Sequence, residues 1–353
     1  MDTHAAGRFA LFSPHSRALT VLHDDLERHA LSRDIVFTGT AGSIVEREND
    51  RPFRYYVRTF YDGDGKKRDE YVAGPVGSVA ADAAADALRE RIREIKELVP
   101  SLRMLRREGY NVVDPRTYGA VASLSNHGIF ALGGFLVGSH AYGILLNKLG
   151  IRGAAYSTEE IDIARGAALV FDSSPVEGLR GILRDSGIEF VEVPGLERRS
   201  PPTSFKQRGR SHFHVDLLAP SPSETFPVVS VPELKAHATG LPYLDYLLAE
   251  SQPAMLMARE GCCAVRVPLP ERFAVHKLVV SRLRTDRSAK PDKDVLQASV
   301  LAAALAERHT GAIEAAVAHL PKRAHRHFAA GRESARRHLA ARYERAWREL
   351  GGE

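Results

Sequence analysis

The stretch GFLVGSH (residues 134–140) decides the fold of this chain. Its apolar half, residues 134–137, is typical of a short buried strand, and Gly138-Ser139 interrupts it before a helix-like segment at residues 141–149. A helix that starts at a glycine and a hydroxyl residue offers unpaired N–H groups and a positive dipole end, which suit phosphate. The stretch therefore predicts a strand, a turn and a helix, with an anion site at the turn.

Two alternating segments farther along the chain carry acids. EIDI (residues 160–163) places Glu160 and Asp162 on one face of a strand and the two isoleucines on the other. SHFHVDLL (residues 211–218) adds Asp216 beside an apolar run, so three carboxylates on two strands can converge. Carboxylates are the hard oxygen ligands that Mg²⁺ prefers. Such a cluster suits metal-assisted phosphoryl or nucleotidyl transfer, in which two divalent ions about 3.5–4 Å apart clamp the reacting oxygens.

This order of elements resembles the nucleotidyltransferase superfamily that includes DNA polymerase beta. The signature of that superfamily is a strand, Gly-Ser, a helix, two acids spaced by one residue, and a third acid on a neighbouring strand. More narrowly, the chain is similar to uncharacterised bacterial nucleotidyltransferase-fold proteins related to abortive-infection toxins. The first acid of the family is usually Asp, whereas this chain has Glu160. The resemblance implies that Glu160, Asp162 and Asp216 are catalytic and bind metal.

A second set of motifs lies near residue 280. In HKLVVSRLR (residues 276–284), Lys277 and Arg284 fall on one helical face. The Lys-Leu pair with an Arg seven residues after the Lys resembles a further motif of the abortive-infection toxins. In KPDKDVLQ (residues 290–297), Gln297 stands where the second Asp of a third motif is expected. The resemblance implies that the nucleotide is bound by Gly138, Ser139, Lys277 and Arg284. Lys277 would contact the phosphates as a single positive charge, and Arg284 would donate two parallel hydrogen bonds to them.

The histidines beside the third acid allow a different metal site. His212 and His214 share the face of Asp216 by the period of two, so a His-His-Asp site for a transition metal is an alternative. In the other interpretation both histidines are exposed strand positions that flank the acids.

Composition limits the class of protein. The chain has 353 residues, of which 44% are hydrophobic and 26% charged, as in an ordinary globular protein with room for two or three domains. A net charge of +5 mildly favours polyanionic partners. Two adjacent cysteines, Cys262 and Cys263, support neither a disulfide framework nor a zinc site, so we expect a cytoplasmic protein. No apolar run is long enough for a membrane span, and no membrane partner is expected.

The pattern of elements predicts an α+β fold in four parts. A β-rich arm (residues 1–75) contains strands at residues 35–37, 55–61 and 70–72, and a connector helix (residues 76–112) is capped by Ser78. A mixed-sheet nucleotidyltransferase core (residues 113–230) ends with a hairpin of residues 203–207 and 211–218. A helical domain (residues 231–353) closes over the cleft. Aromatic residues interleaved with Arg54, Arg58 and Lys66 to Arg68 in the arm are a candidate nucleic-acid face. The alternative is an amphipathic hairpin that packs on the next helix.

The resemblance implies an enzyme that moves a nucleoside monophosphate from an NTP to an acceptor hydroxyl, with two Mg²⁺ ions, or Mn²⁺ in their place. We expect a nucleic-acid acceptor, foremost RNA such as tRNA, because arginines crowd the segment after Lys322. A protein or small-molecule acceptor is the alternative. Two other functions stay open: a non-catalytic nucleic-acid-binding or partner-binding module that keeps the fold, and a toxin-like enzyme that modifies protein. The sequence leaves the oligomeric state undetermined.

Overall fold

The structure is a computed structural model that describes residues 10–49, 53–154, 158–171, 177–194, 200–283 and 290–353. The N-terminal part is a three-stranded antiparallel sheet, in the order β2-β3-β4, packed on a long helix. Ser16 and Ser78 cap the two helices of this part by accepting hydrogen bonds from backbone N–H groups. The elements are β1 (Phe12–Pro14), α1 (Arg17–Leu31), β2 (Ser43–Glu48), β3 (Arg54–Tyr61), β4 (Lys67–Ala73) and α2 (Val79–Arg107).

Two predictions for this part are wrong. Residues 35–37 form no strand. The amide side chain of Asn126 forms hydrogen bonds with both the N–H and the C=O of Val36, so these backbone groups are not available to pair with a neighbouring strand. Arg58 is not on an exposed face. Its guanidinium lies over the rings of Phe37 and Phe60, at 3.8 and 4.1 Å from their centroids, and it is buried.

The central part is a mixed sheet with the strand order β11-β12-β10-β7-β5, and β8 and β9 form a ribbon beside β10. Strands β7, β10 and β12 run parallel, whereas β5, β9 and β11 pair antiparallel to their neighbours. The hairpin of β9 and β10 is as predicted. The elements are α3 (Pro115–Asn126), β5 (Gly134–Leu136), α4 (Gly138–Lys148), β6 (Ile151–Gly153), β7 (Glu160–Arg165), α5 (Gly178–Arg184), β8 (Phe190–Val193), β9 (Ser204–Gln207), β10 (His214–Ser221), β11 (Val228–Val231) and β12 (Ala236–Pro242).

The last part begins with a hairpin and continues as packed helices. Helix α7 contacts both α8 and α10. The elements are α6 (Leu244–Leu248), β13 (Ser251–Met257), β14 (Cys262–Pro268), α7 (Pro270–Leu283), α8 (Lys290–Arg308), α9 (Ala312–Ala318), α10 (His325–Leu339) and α11 (Glu344–Glu349). Strands β12 to β14 thus fall within the predicted helical domain (residues 231–353). The α+β class is confirmed, and the four-part division of the chain stays a prediction.

The sheet and the C-terminal helices share one hydrophobic core. Along β10 every second residue is buried, with Val215 and Leu217 at 0% exposure, and along β7 Ile161 and Ile163 are buried in the same way. Burying such side chains stabilises the fold by about 1.5–3 kcal/mol each. Because strand side chains alternate between faces, this burial turns the polar residues of β7 and β10 to the opposite face.

Helices α7 and α10 meet backbone to backbone. A Cβ atom added at Gly331 of α10 would lie 2.1 Å from the carbonyl oxygen of Leu278 in α7, so only glycine fits at that crossing. Within the described ranges, no helix has the length and apolar character needed to cross a membrane. Both cysteines, Cys262 and Cys263, are buried and carry free thiols.

Candidate functional site

The acids of β7 and β10 lie side by side because the two strands are parallel and in register. Asp162 pairs with Asp216, and Glu160 pairs with His214, two residues earlier on each strand. All four side chains are partly exposed, on the face opposite the buried isoleucines and valines. The structure therefore brings together the three carboxylates that the sequence predicted to converge, and it adds a histidine to them.

The first turn of α4 closes one side of this cluster. Gly138 begins the helix with a φ of +64°, a conformation that glycine adopts without strain. A Cβ atom at this position would lie 1.8 Å from Oδ2 of Asp162, so the carboxylate occupies the space that a side chain would need. The N–H of Val137 also donates to the carbonyl oxygen of Asp162 at 3.0 Å. The predicted phosphate-binding turn and the second acid are thus in direct contact.

His214 is held between the backbone and the third acid. Its Nδ1 lies 2.7 Å from the carbonyl oxygen of His212, and its Nε2 lies 3.6 Å from Oδ2 of Asp216. The hydrogen bond with Asp216 raises the pKa of His214 to about 9, although burial opposes the rise. Burial alone would raise the pKa of Asp216, but hydrogen bonds from His214 and Ser204 hold it below its usual value. The charges of these two residues therefore stabilise each other.

A cleft of about 80 Å³ separates the acids from α7 and α8. On α7 and α8, Lys277 and Asp294 form a buried ion pair, with Nζ 2.6 Å from Oδ1. Lys290, at the start of α8, reaches across the cleft to Oε2 of Glu160 at 3.4 Å. The polar residues that line the cleft are Ser139, Glu160, Asp162, His276, Lys277, Lys290, Lys293 and Asp294.

Other predicted residues are placed differently. Arg284 lies outside the described residues. Gln297 is fully buried, three residues after Asp294 on α8. His212 is exposed, and its side chain is not part of the donor group that contains His214. The alternative His-His-Asp site is therefore not formed, because Glu160 rather than His212 accompanies His214 and Asp216.

A larger cavity of about 430 Å³ adjoins the cleft at Ser139. It runs along the flank of α4 and is lined by Asn111, Asp114, His140 and Tyr142 among others. Burial lowers the pKa of His140 to about 4. Glu160 and Asp162 line the smaller cleft and not this cavity, so the chemistry is expected in the cleft.

The chain's own donor atoms fit a divalent cation. Oxygen or nitrogen atoms of Glu160, His214 and Asp216 all lie within 4.8 Å of one another. Two carboxylates supply hard oxygen donors, and the imidazole of His214 would supply one nitrogen donor once a cation displaced the proton that Asp216 stabilises on Nε2. Divalent first-row metals accept this combination of donors. Asp162 lies beside this group, against the start of α4. Within the part of the chain that the structure describes, Glu160, His214 and Asp216 form a group that could hold a metal, and Asp162 is the next acid beside it.

Sequence reasoning did not assign Lys290, Lys293 and Asp294 to the site, and it made His214 a ligand only in the alternative His-His-Asp site. The ion pair of Lys277 and Asp294 joins two helices, and no spacing rule within one helix identifies such a pair. His214 had a usable signal, since it shares the face of Asp216 by the period of two. What the alternation could not show is which of the two histidines turns its ring toward the acids.

Comparisons with known proteins agree with this geometry. Residues 116–320, more than half of the chain, match a family model described as nucleotidyltransferase. No curated protein and no solved structure matches the chain.

Replacing Gly138 with Ala should displace the carboxylate of Asp162. The added Cβ would overlap Oδ2, and alanine at a φ of +64° is itself strained, at a cost of about 1–3 kcal/mol. We expect a lower thermal midpoint and weaker binding of Mn²⁺, measured by calorimetry. Gly65→Ala is the matched control, because Gly65 also has a positive φ but open space around its missing Cβ. Equal Mn²⁺ affinity in Gly138→Ala and the wild type would show that Asp162 takes no part in metal binding.

Proposed function

We propose that this chain, which belongs to the nucleotidyltransferase family, transfers a nucleoside monophosphate from an NTP to an acceptor hydroxyl. The observation that carries the proposal is the convergence of Glu160, Asp162 and Asp216 at the N-terminus of α4, beside a cleft lined with lysines. A phosphate-binding helix start, a set of metal-ligating acids and a positively charged wall are the parts that phosphoryl transfer needs.

Each residue of the cluster has a role in the proposal. The N–H of Gly138 and the hydroxyl of Ser139 bind the phosphates, at the positive end of the dipole of α4. Glu160, Asp162 and Asp216 hold divalent cations, Mg²⁺ or Mn²⁺. A bound cation would neutralise phosphate charge and lower the pKa of an oxygen that it contacts. Asp216 would also accept the proton of the attacking hydroxyl or share in holding the cations.

The lysines of the cleft complete the charge balance. A triphosphate brings about four negative charges next to three carboxylates, so cations besides the metals are needed. Lys277, Lys290 and Lys293 line the cleft on the side opposite the acids. The nucleotide would draw Lys290 away from Glu160, because a triphosphate offers it more negative charge. The role of Arg284 in nucleotide binding stays a prediction.

For the acceptor we propose a nucleic acid, with RNA such as tRNA as the first candidate. Arg326, Arg336 and Arg337 of α10 have side chains 72%, 60% and 58% exposed. Each of them pairs with an acid of this chain, but exposed ion pairs are weak, so phosphates can compete for the arginines. A protein or small-molecule acceptor and a toxin-like role, to which the narrower resemblance points, are outcomes that the assays below can reveal. The cytoplasmic setting stays an expectation.

A non-catalytic binding module is the second candidate, and two contacts favour it. Lys277 is already paired with Asp294, and Glu160 is already in contact with Lys290. If these pairs persist in the presence of ligand, the protein keeps the nucleotidyltransferase fold but its cleft does not bind an NTP. Nucleic-acid affinity without metal-dependent NTP affinity would identify this case.

Label transfer from an alpha-labelled NTP tests the activity. In the presence of Mg²⁺ or Mn²⁺ we expect label on RNA, and we expect Asp162→Asn to reduce the rate by about 100-fold or more, because it removes charge at the reacting phosphate. Asp86→Asn, an exposed acid of α2, is the control and should keep the wild-type rate. If no label reaches RNA, protein or any small molecule, the protein is not a nucleotidyltransferase under these conditions and the binding module is favoured.

The role of Lys277 needs a double variant. Lys277→Met alone would remove one partner of a buried ion pair, at a cost of about 3–5 kcal/mol. Lys277→Met with Asp294→Asn replaces the ion pair by two neutral groups, so the fold should persist. We expect NTP affinity to fall by about tenfold, roughly the 1.4 kcal/mol of one lost charge contact, while Mn²⁺ affinity changes little. Unchanged NTP affinity, measured by calorimetry, would remove Lys277 from the nucleotide site.

Salt-dependent tRNA binding tests the arginine face. Replacing Arg326, Arg336 and Arg337 with Gln should weaken binding and reduce the slope of log affinity against log salt by about one per lost phosphate contact. The control replaces Arg28, Arg89 and Arg93, exposed arginines of α1 and α2. Substitution is preferable to removing residues 322–353, since α10 packs against α7. Equal slopes in the two triple variants would exclude α10 as the RNA surface.

A further inference from the structure

The ring of His214 has a fixed orientation. Its Nδ1 lies 2.7 Å from the carbonyl oxygen of His212, a group that can only accept, so Nδ1 carries a proton and donates it. In the neutral ring the lone pair is then on Nε2, which lies 3.6 Å from Oδ2 of Asp216. Metal-ligating histidines almost always donate their other ring N–H to a carbonyl or carboxylate in this way. The backbone therefore aims the donor nitrogen of His214 into the acid cluster.

The carboxylate of Asp216 is oriented in a similar manner. Ser204 donates to Oδ1 of Asp216, which leaves Oδ2 for the side that faces His214. Glu160 is the register partner of His214 on the adjacent strand, and its backbone N–H donates to Oγ1 of Thr158 at 3.2 Å. One ligand atom from each of Glu160, His214 and Asp216 lies within 4.8 Å of the others. The three donor atoms, which lie on two paired strands, are thus grouped around one position.

We propose that Nε2 of His214 is a direct metal ligand and that Glu160, His214 and Asp216 form a mixed nitrogen and oxygen site for a first-row transition ion, such as Mn²⁺, in preference to Mg²⁺. The proposal rests on the proposed function for the presence of a cation in the cleft. It differs from a site of three carboxylates, because Asp162 is outside this donor group and lies against Gly138.

The preference follows from the donor set. Mg²⁺ holds its water tightly and selects oxygen ligands in a near-ideal octahedron, so an imidazole contributes little to its affinity. Later first-row ions bind imidazole well, and their affinities rise from Mn²⁺ toward Cu²⁺. A site with this donor set should therefore have a higher affinity for cations that accept nitrogen ligands than for cations that bind oxygen ligands alone.

Pulsed electron paramagnetic resonance of the Mn²⁺-loaded wild-type protein tests the proposal directly. A nitrogen bound to Mn²⁺ gives a hyperfine modulation, which we expect in the wild type and in His212→Gln and which should vanish in His214→Gln. His212→Gln is the matched control, because it changes an exposed histidine of the same segment. By calorimetry, His214→Gln should lose about 10–100-fold in Mn²⁺ affinity, the range found when the residues that support a metal site are changed. Its Mg²⁺ affinity should change by less than about threefold, because Mg²⁺ gains little from nitrogen.

The outcomes separate this proposal from the proposed function. If the wild type shows no nitrogen modulation, the proposal is overturned, whether or not label transfer occurs. If the modulation is present and depends on His214, the proposal stands even when no label transfer is found, and only the proposed function fails. Equal losses of Mn²⁺ and Mg²⁺ affinity in His214→Gln would also overturn the preference. Because the spectrum of the wild type needs no variant, misfolding of His214→Gln does not affect the main result.

Discussion

The register between β7 and β10 is the constraint on which the rest of the site depends. Parallel pairing places Asp162 opposite Asp216 and Glu160 opposite His214. A slip of one residue would turn every side chain of one strand to the other face, and would bury the acids while exposing Ile161 and Ile163. The hydrophobic core thus specifies the face of the sheet that carries the polar cluster, because a slip of one residue would expose the apolar residues of one strand.

Much of this arrangement could be predicted, since it depends on local periodicity. The alternation of EIDI and of residues 211–218 fixes which residues share a face, and the Gly-Ser break fixes where α4 begins. The predictions that the structure overturned depended on distant contacts. Residues 35–37 have the composition of a strand, but Asn126 of α3 satisfies the backbone of Val36. Arg58 has the charge of a surface residue, but two aromatic rings and two carbonyl oxygens enclose it.

The cleft itself was the least predictable feature. Its far wall consists of residues on α7 and α8, which are more than one hundred residues distant in sequence from Glu160 and Asp162. The sequence identified Lys277 as a cation of the site, but nothing in its spacing shows that Asp294 lies 2.6 Å away. Likewise, the difference between His212 and His214 is a matter of ring orientation. That orientation follows from one hydrogen bond with a backbone carbonyl, which no pattern of side chains reveals.

The contact of Gly331 with Leu278 has a thermodynamic consequence for the whole molecule. Leu278 follows Lys277 on α7, so α10 rests by its backbone on the helix that forms the wall of the cleft. Because no side chain separates the backbones of α7 and α10 at this contact, a displacement of one helix is transmitted to the other, as in other closely packed interiors. A ligand that shifts α10 would therefore change the free energy of ligand binding in the cleft. By linkage, occupation of the cleft would change the affinity at α10 by the same factor.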